Sequence, residues 1–402
     1  MGSITGSDFE KILSEATARD AKNVPGVVLA AIDKDGKTIY SKASGYNGVA
    51  PDAGPIDPDG TFWIASCTKL ITSICALQCV EKGLVSLDED ISRILPELKD
   101  PEIASLDSSA PNGFKLTPAK NRVTLRQLLT HSSGVGYEWM NPTLQAWRKV
   151  HGPPAEELSG KIVATYSMPL LFEPGEGWMY GGGLDWAGVM VQRLNGDQSL
   201  GDYMDEHIFK PFGMNSTTFQ LNQRPDIKKR VVQAATRTPD DGLVPHPKAV
   251  WLEEVHEHSG GGGLWSSVND YIKVLHDLVK DEPTLLKKET VETLLIAPQL
   301  DPEGPAVRQL AGARGAVGAN AAAADVGISY GLGGMAITKD NEFLPKNTLS
   351  WGGLPNLKWF VNRDLGVAAM YASQVLPPGD AKSTHLSSQF FKEVVRLAKE
   401  KA

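Results

Sequence analysis

Cysteine is scarce in this 402-residue chain: only Cys67, Cys75 and Cys79 are present. Three thiols make no disulfide framework. All fall on or beside one apolar segment, which reads as packing in a reducing compartment. No run of 18 or more apolar residues occurs, so no transmembrane helix is expected. The N-terminus has no basic stretch leading into an apolar core, so no secretory signal is read. Met1-Gly2 fails as a myristoylation signal because Gly6 stands where Ser or Thr is needed. Positive charge is in deficit, with 40 Lys and Arg against 48 Asp and Glu and a net charge of −8. With no basic run and no aromatic-basic interleaving, nucleic acid is not an expected partner. These absences give a cytoplasmic protein with no membrane partner. Nothing in the sequence marks its oligomeric state. The chain does have an ordinary globular composition, 41% hydrophobic and 22% charged, enough for a sizeable core.

Val27 to Ile32 and Lys37 to Ser41-Lys42 flank Asp35-Gly36, a strong hairpin signal. Late in the chain, Asn347 to Trp351, Lys358 to Asn362 and Gly366 to Tyr371 read as strands, followed by a charged amphipathic helix from about Thr384 to Lys399. Between residues 86 and 195 the pattern turns helical and loop-rich, with Val123–Leu129, Leu144–Val150 and Asp185–Arg193 as candidate helices. The expected fold class is α/β (α+β), an antiparallel sheet built from both ends of the chain and flanked by helices. Residues 1–85 and 196–402 form the α/β part, and 86–195 a mainly helical inserted domain. Gly260-Gly261-Gly262-Gly263 is either a turn lining a site or punctuation before a helix. The Ala-, Gly- and Pro-rich stretch 301–327 is either a mobile flap over a pocket or a disordered surface loop.

Ser66 and Lys69 stand one helical turn apart, ahead of an apolar stripe through Leu70, Ile71, Ile74, Leu77 and Val80 that stops at Gly83. Residues i and i+3 share a helix face, so the Lys69 ammonium can reach the Ser66 hydroxyl. A helix start also offers unpaired N–H groups to a developing anion. Roughly one Ser-x-x-Lys match is expected by chance in a chain this long, so the motif needs company. No Gly-x-Ser-x-Gly elbow is present, which argues against an α/β-hydrolase.

The company is ordered along the chain. Thr124-Leu125-Arg126-Gln127-Leu128-Leu129-Thr130-His131-Ser132-Ser133-Gly134 follows the Ser66 segment. Phe172-Glu173-Pro174-Gly175 leads to Trp178-Met179-Tyr180-Gly181, and Ser350-Trp351-Gly352-Gly353 comes last. From about Phe9 to about Leu397 the chain resembles the class C β-lactamase-like serine hydrolase superfamily. Within it, the chain is most similar to family VIII carboxylesterases and the fungal branch acting on statin-type polyketide esters. The resemblance implies the fold shared with penicillin-binding proteins. It makes Ser66, Lys69 and Tyr180 the catalytic group, with an oxyanion hole from the N–H groups of Ser66 and Leu354; Pro355 has none to give. Lys69 aided by Tyr180, or Tyr180 as a phenolate held by Lys69, would be the base, and the pair can titrate together.

Tyr137, Trp351, Gly352 and Gly353 are the candidate substrate-binding residues. The two aromatics are either pocket walls or core, and the glycines would let a substrate approach the backbone. Two departures from penicillin-recognising relatives stand out. Tyr180-Gly181-Gly182 lacks the expected asparagine or serine, and Trp351-Gly352-Gly353 replaces Lys-Thr-Gly. Loss of that cation favours uncharged, apolar esters. The implied activity is a serine carboxylesterase working through a Ser66 acyl-enzyme without metal or other cofactor. The alternatives are an acyltransferase to an alcohol of a secondary metabolite and a non-catalytic binder of the same fold. Expected partners are a small-molecule ester and, for acyl transfer, an alcohol acceptor or acyl carrier. His131 reads as structural, bonding its own loop. His256-Glu257-His258 reads as a solvated face.

Overall fold

Asp35-Gly36 does turn the chain: β1 (Gly26–Asp33) and β2 (Thr38–Gly45) pair antiparallel with Gly36 at φ 81° between them. In this computed structural model, which describes residues 6–152, 161–312 and 327–401, five later strands complete the sheet. They are β3 (Ile328–Tyr330), β4 (Met335–Ile337), β5 (Thr348–Gly353), β6 (Leu357–Asn362) and β7 (Val367–Ala372). Their order is β2-β1-β7-β6-β5-β4-β3, antiparallel throughout. The first strands lie beside the last, so the sheet is closed only when both ends of the chain have been made. The fold is a mixed α/β one, with an antiparallel sheet flanked by helices.

Alternation decides the two faces, because successive strand residues point to opposite sides. Val27, Leu29, Ala31, Phe360, Ala369 and Tyr371 meet Phe9, Leu13, Phe390 and Phe391 from α1 (Gly6–Ala16) and the final helix, residues 381–401. Val28, Ala30, Trp359, Val361, Ala368 and Met370 join the larger core on the other face. That core holds α2 (Thr68–Glu81), α3 (Gly183–Leu194) and α4 (Val268–Val279). α2 is enclosed rather than amphipathic: Thr68 to Leu77 are all buried, as a central helix should be. Cys67, Cys75 and Cys79 are buried there as free thiols; burial pushes the Cys67 thiol well up, which makes it unreactive.

Two readings of the sequence change. The stretch between 86 and 195 contains an antiparallel strand pair, Glu102–Leu106 with Phe114–Pro118, in addition to its helices. Within the stretch 301–327, Pro305–Gly312 form a helix, with Ala306 and Leu310 buried; residues 313–326 lie outside the described residues. No described helix is long and apolar enough to cross a membrane.

Candidate active site

A two-strand pairing builds the site's centre. Phe62–Trp63 pairs with Trp265–Ser266, which lays the glycine run 260–263 along the turn that carries Ser66. Trp63 Nε1 donates to the Gly262 carbonyl at 2.7 Å, Ile64 N–H to the Leu264 carbonyl at 3.0 Å, and Leu264 N–H to Thr68 Oγ1 at 3.2 Å. Ser66 itself sits in a single 3-10 turn, Ala65–Cys67, directly before α2. Ala65 is held at φ 44°, a conformation an alanine adopts only when its surroundings enforce it.

Lys69 is buried at 3% exposure. Its Nζ lies 2.5 Å from the Gly261 carbonyl, 3.1 Å from the Tyr137 hydroxyl and 3.4 Å from Ser66 Oγ. The Tyr180 ring lies against the same ammonium, 4.7 Å from Nζ to centroid. No hydrogen bond joins the Tyr180 hydroxyl to Ser66 or Lys69 among the described residues, so the tyrosine touching Lys69 through oxygen is Tyr137. Burial, then the nearby Asp185 carboxylate, holds the Tyr137 phenol well above its ordinary pKa.

Asp185 is a residue that sequence reasoning passed over. It is fully buried in the first turn of α3. Its Oδ1 accepts from Ser259 Oγ at 2.6 Å and Gly261 N–H at 3.0 Å. Burial raises its pKa, while Lys69 and the Ser259 and Gly261 donors oppose the rise. A carboxylate therefore grips the N–H of the residue whose carbonyl grips Lys69. A Cβ on Gly261 would lie 2.3 Å from Asp185 Oδ2, so only glycine fits there. The glycine run thus lines the site, one of its two readings.

Ser66, Tyr137, Tyr180, Trp351, Gly352, Gly353 and Leu354 all line one cavity of about 340 Å³, with Lys69 beneath it. Tyr137 and Trp351 are both buried and both pocket walls; the Trp351 ring lies 5.4 Å from that of Tyr180. Trp63 and Trp251, stacked at 5.1 Å, join the aromatic wall with Trp139 and Tyr166. The N–H groups of Ser66 and Leu354 make no turn or loop backbone hydrogen bond among the described residues. The two glycines have a further reason. A Cβ on Gly353 would meet the Ile64 carbonyl at 2.4 Å and one on Gly352 the Leu357 carbonyl at 2.4 Å. The chain's own backbone, and not only a substrate, needs that space. Gly182 is explained similarly, since a Cβ there would sit 2.5 Å from the Tyr166 ring and an asparagine cannot be housed.

His131 does not bond its own loop through its ring. Its Nδ1 accepts from the Gly181 N–H at 3.4 Å, and its ring lies 4.7 Å from that of Tyr180. Burial first and Lys69 second hold its pKa well down, so it is a neutral brace for the tyrosine loop. Glu257 accepts from the Ile162 N–H at 2.5 Å, and His258 accepts from the Gly201 N–H at 2.9 Å and stacks on Phe219. These are structural duties, and no group of three or more metal-ligating side chains forms among the described residues.

Comparison with known proteins follows the same lines. The beta-lactamase family profile matches residues 10–388. The acyltransferase calJ of Penicillium decumbens is 37% identical, over 96% of this chain and 97% of its own length. The lovastatin esterase of Penicillium rubens is 34% identical, over 90% and 92%. A solved simvastatin synthase (LovD) variant from Aspergillus terreus superposes with a TM-score of 0.87 at 31% identity, covering 98% of this chain and 95% of that one.

Proposed function

This chain belongs to the beta-lactamase family, and from that premise we propose that it is a serine carboxylesterase acting on apolar esters through a Ser66 acyl-enzyme. The observation that carries the reading is the placement of Lys69 Nζ against Ser66 Oγ, the Tyr137 hydroxyl and the Gly261 carbonyl, beneath an aromatic cavity. In its neutral form Lys69 gives its two hydrogens to Gly261 and Tyr137 and turns its lone pair to Ser66. As Ser66 Oγ bonds to the ester carbonyl carbon, its proton passes to Lys69, and the oxyanion takes the N–H groups of Ser66 and Leu354. The C–O bond to the alcohol then breaks, and the alcohol leaves with a proton returned from Lys69 by way of Tyr180. Water repeats the sequence to free the acid.

The high-lying phenol of Tyr137 stays protonated, which suits a partner of the base and not a base. Acyl transfer is the second reading, favoured by the calJ relative: the same residues serve, and an acceptor alcohol replaces water. Residues 1–85 and 196–402 are the α/β frame in this reading, 86–195 the inserted helical unit, and a cytoplasmic setting keeps the thiols reduced.

The test is intact-protein mass spectrometry after incubation with p-nitrophenyl esters, for wild type and Ser66→Ala, with and without a bulky secondary alcohol. A Ser66-dependent acyl adduct that clears into free acid is the expected result. Faster clearance into a new ester in the presence of the alcohol would assign acyl transfer. No adduct and no turnover on any ester would sink both readings in favour of a binding protein.

A further inference from the structure

The carbonyls of the glycine run are met by donors from the segment that carries Ser66. Trp63 Nε1 donates to Gly262 at 2.7 Å, Lys69 Nζ to Gly261 at 2.5 Å, and Thr72 Oγ1 to Gly260 at 2.8 Å. The N–H groups of the run turn the other way. Gly262 and Gly263 donate to the Ser259 carbonyl, and Gly261 donates to Asp185 Oδ1 at 3.0 Å. Gly261 thus stands between a base and an acid, its carbonyl on Lys69 and its N–H on Asp185.

Both ends of that bridge are buried. Asp185 commits Oδ1 to Ser259 Oγ and the Gly261 N–H, while Oδ2 has no hydrogen-bond partner among the described residues. A buried carboxylate with an unmatched oxygen is costly, and it calls for a reason. The other titratable groups around Lys69 are the phenols of Tyr137 and Tyr180 and the imidazole of His131, with Tyr166 and Tyr330 beside Tyr137. Burial keeps the Tyr137 phenol protonated and His131 neutral, so neither balances a cation on Lys69. The Asp185 carboxylate is placed to do so.

We propose that Asp185 completes the group begun by Ser66 and Lys69, as a positioning residue that sets the Gly261 carbonyl on the base and steadies the ammonium that Lys69 becomes. The inference rests on the Ser66 acyl-enzyme reading and deepens it. As Ser66 Oγ bonds to the ester carbonyl carbon, its proton passes to Lys69 Nζ, and a cation forms in a buried place. The carboxylate across Gly261 lowers the cost of that cation, as a third group behind a nucleophile and its base should. When the proton goes on to the departing alcohol, Lys69 is neutral again and Asp185 has neither gained nor lost a proton.

Asp185→Asn separates charge from shape. Its Oδ1 can still accept from Ser259 and Gly261, while Nδ2 replaces an oxygen with no partner. The readouts are the rate at which a fluorophosphonate probe labels Ser66, followed by intact-protein mass spectrometry against pH, and kcat and KM on a p-nitrophenyl ester. A nearby opposite charge favours the charged form, so its loss should move the acid limb of both profiles down by about one pH unit or more. The plateau above the limb should fall about threefold or more, because a weaker base is felt in the transition state, with KM little changed. Ser259→Ala keeps the carboxylate and should leave the limb in place. In Asp185→Asn, a plateau that falls over an unmoved limb would make Asp185 a structural prop, and a profile equal to wild type would leave its charge no part. Either result overturns the proposal. Thermal melting checks that Asp185→Asn is folded, and Asp185→Ser, held to the same expectation, takes its place if it is not. If wild type neither takes the probe at Ser66 nor turns over any ester, the Ser66 reading fails and this one with it, before any variant is compared.

Discussion

An ammonium has three hydrogens to give, and Lys69 faces three oxygens: those of Ser66, Tyr137 and Gly261. The Gly261 carbonyl can only accept, so in the neutral lysine the lone pair must turn to Ser66 or to Tyr137. Tyr137→Phe keeps the ring in the cavity wall and removes the acceptor that takes the second Lys69 hydrogen, so the lone pair is no longer directed to Ser66. We expect kcat to fall by about 10²–10³-fold, within the range usual for acid–base machinery, with KM nearly unchanged. Steady-state kinetics on a p-nitrophenyl ester decides this, and full activity in the variant would reduce Tyr137 to a wall. Tyr180→Phe is expected to lose as much, with the larger loss on esters of poor leaving alcohols, because its hydroxyl serves the departing group; an equal loss on p-nitrophenyl and alkyl esters would contradict that role. Ser66, Lys69 and Tyr180 were legible in the sequence because motif spacing carries them. The oxygen of Tyr137 was not, nor was Asp185, whose partners Ser259 and Gly261 lie more than 70 residues away in sequence. A lone aspartate in an apolar helix gives no sign of such a partner.

Among the elements, the strands that alternate cleanly and the turn that needs glycine were readable: β1, β5, β6 and β7 fall within a residue or two of where their patterns place them, and β2 runs three residues beyond its expected end at Lys42. The pair Glu102–Leu106 and Phe114–Pro118 was missed because only Ala104 and Phe114 in it are buried, which leaves no hydrophobic period to read. The helix at 305–312 was hidden by a composition that reads as a loop. What no pattern could show is how β5 meets the Ser66 turn. Gly353 packs against the Ile64 carbonyl so closely that a Cβ would stand 2.4 Å from it. Gly353→Ala must therefore push β5 and the Ser66 turn apart, moving the Leu354 N–H away from the oxyanion. A loss of about 10²-fold or more in kcat is expected, in line with removal of one oxyanion donor. The folded state should survive, since the clash is confined to one contact. Kinetics and a thermal melt on the same preparation test this, and an active variant would place the second donor elsewhere.

The whole molecule is fastened where its two ends meet. Arg237, from the short strand Ala235–Arg237, donates to the carbonyls of Lys22 and Asn23 near the start of the chain and to the Asp380 carboxylate ahead of the last helix. Asp380 is 6% exposed and also accepts from the Ser383 N–H at 2.8 Å. Burial alone would raise its carboxyl, but Arg237 and the Ser383 N–H outweigh burial and hold it below the usual range. A carboxyl depressed in the folded state contributes stability that is fully present above its unfolded value and is lost as pH falls through the folded one. Asp380→Asn should cost about 3–5 kcal/mol at pH 7, the usual penalty for leaving one partner of a buried pair unmatched. The penalty should stay constant down to about pH 5 and shrink below about pH 4, as wild type protonates the same carboxyl. Urea unfolding of both proteins at pH 7, 5 and 3 measures the gap. A gap as wide at pH 3 as at pH 7 would mean that Asp380 acts through the shape of its hydrogen bonds and not its charge. The clasp would then be a packing feature of the start of the last helix, insensitive to acid.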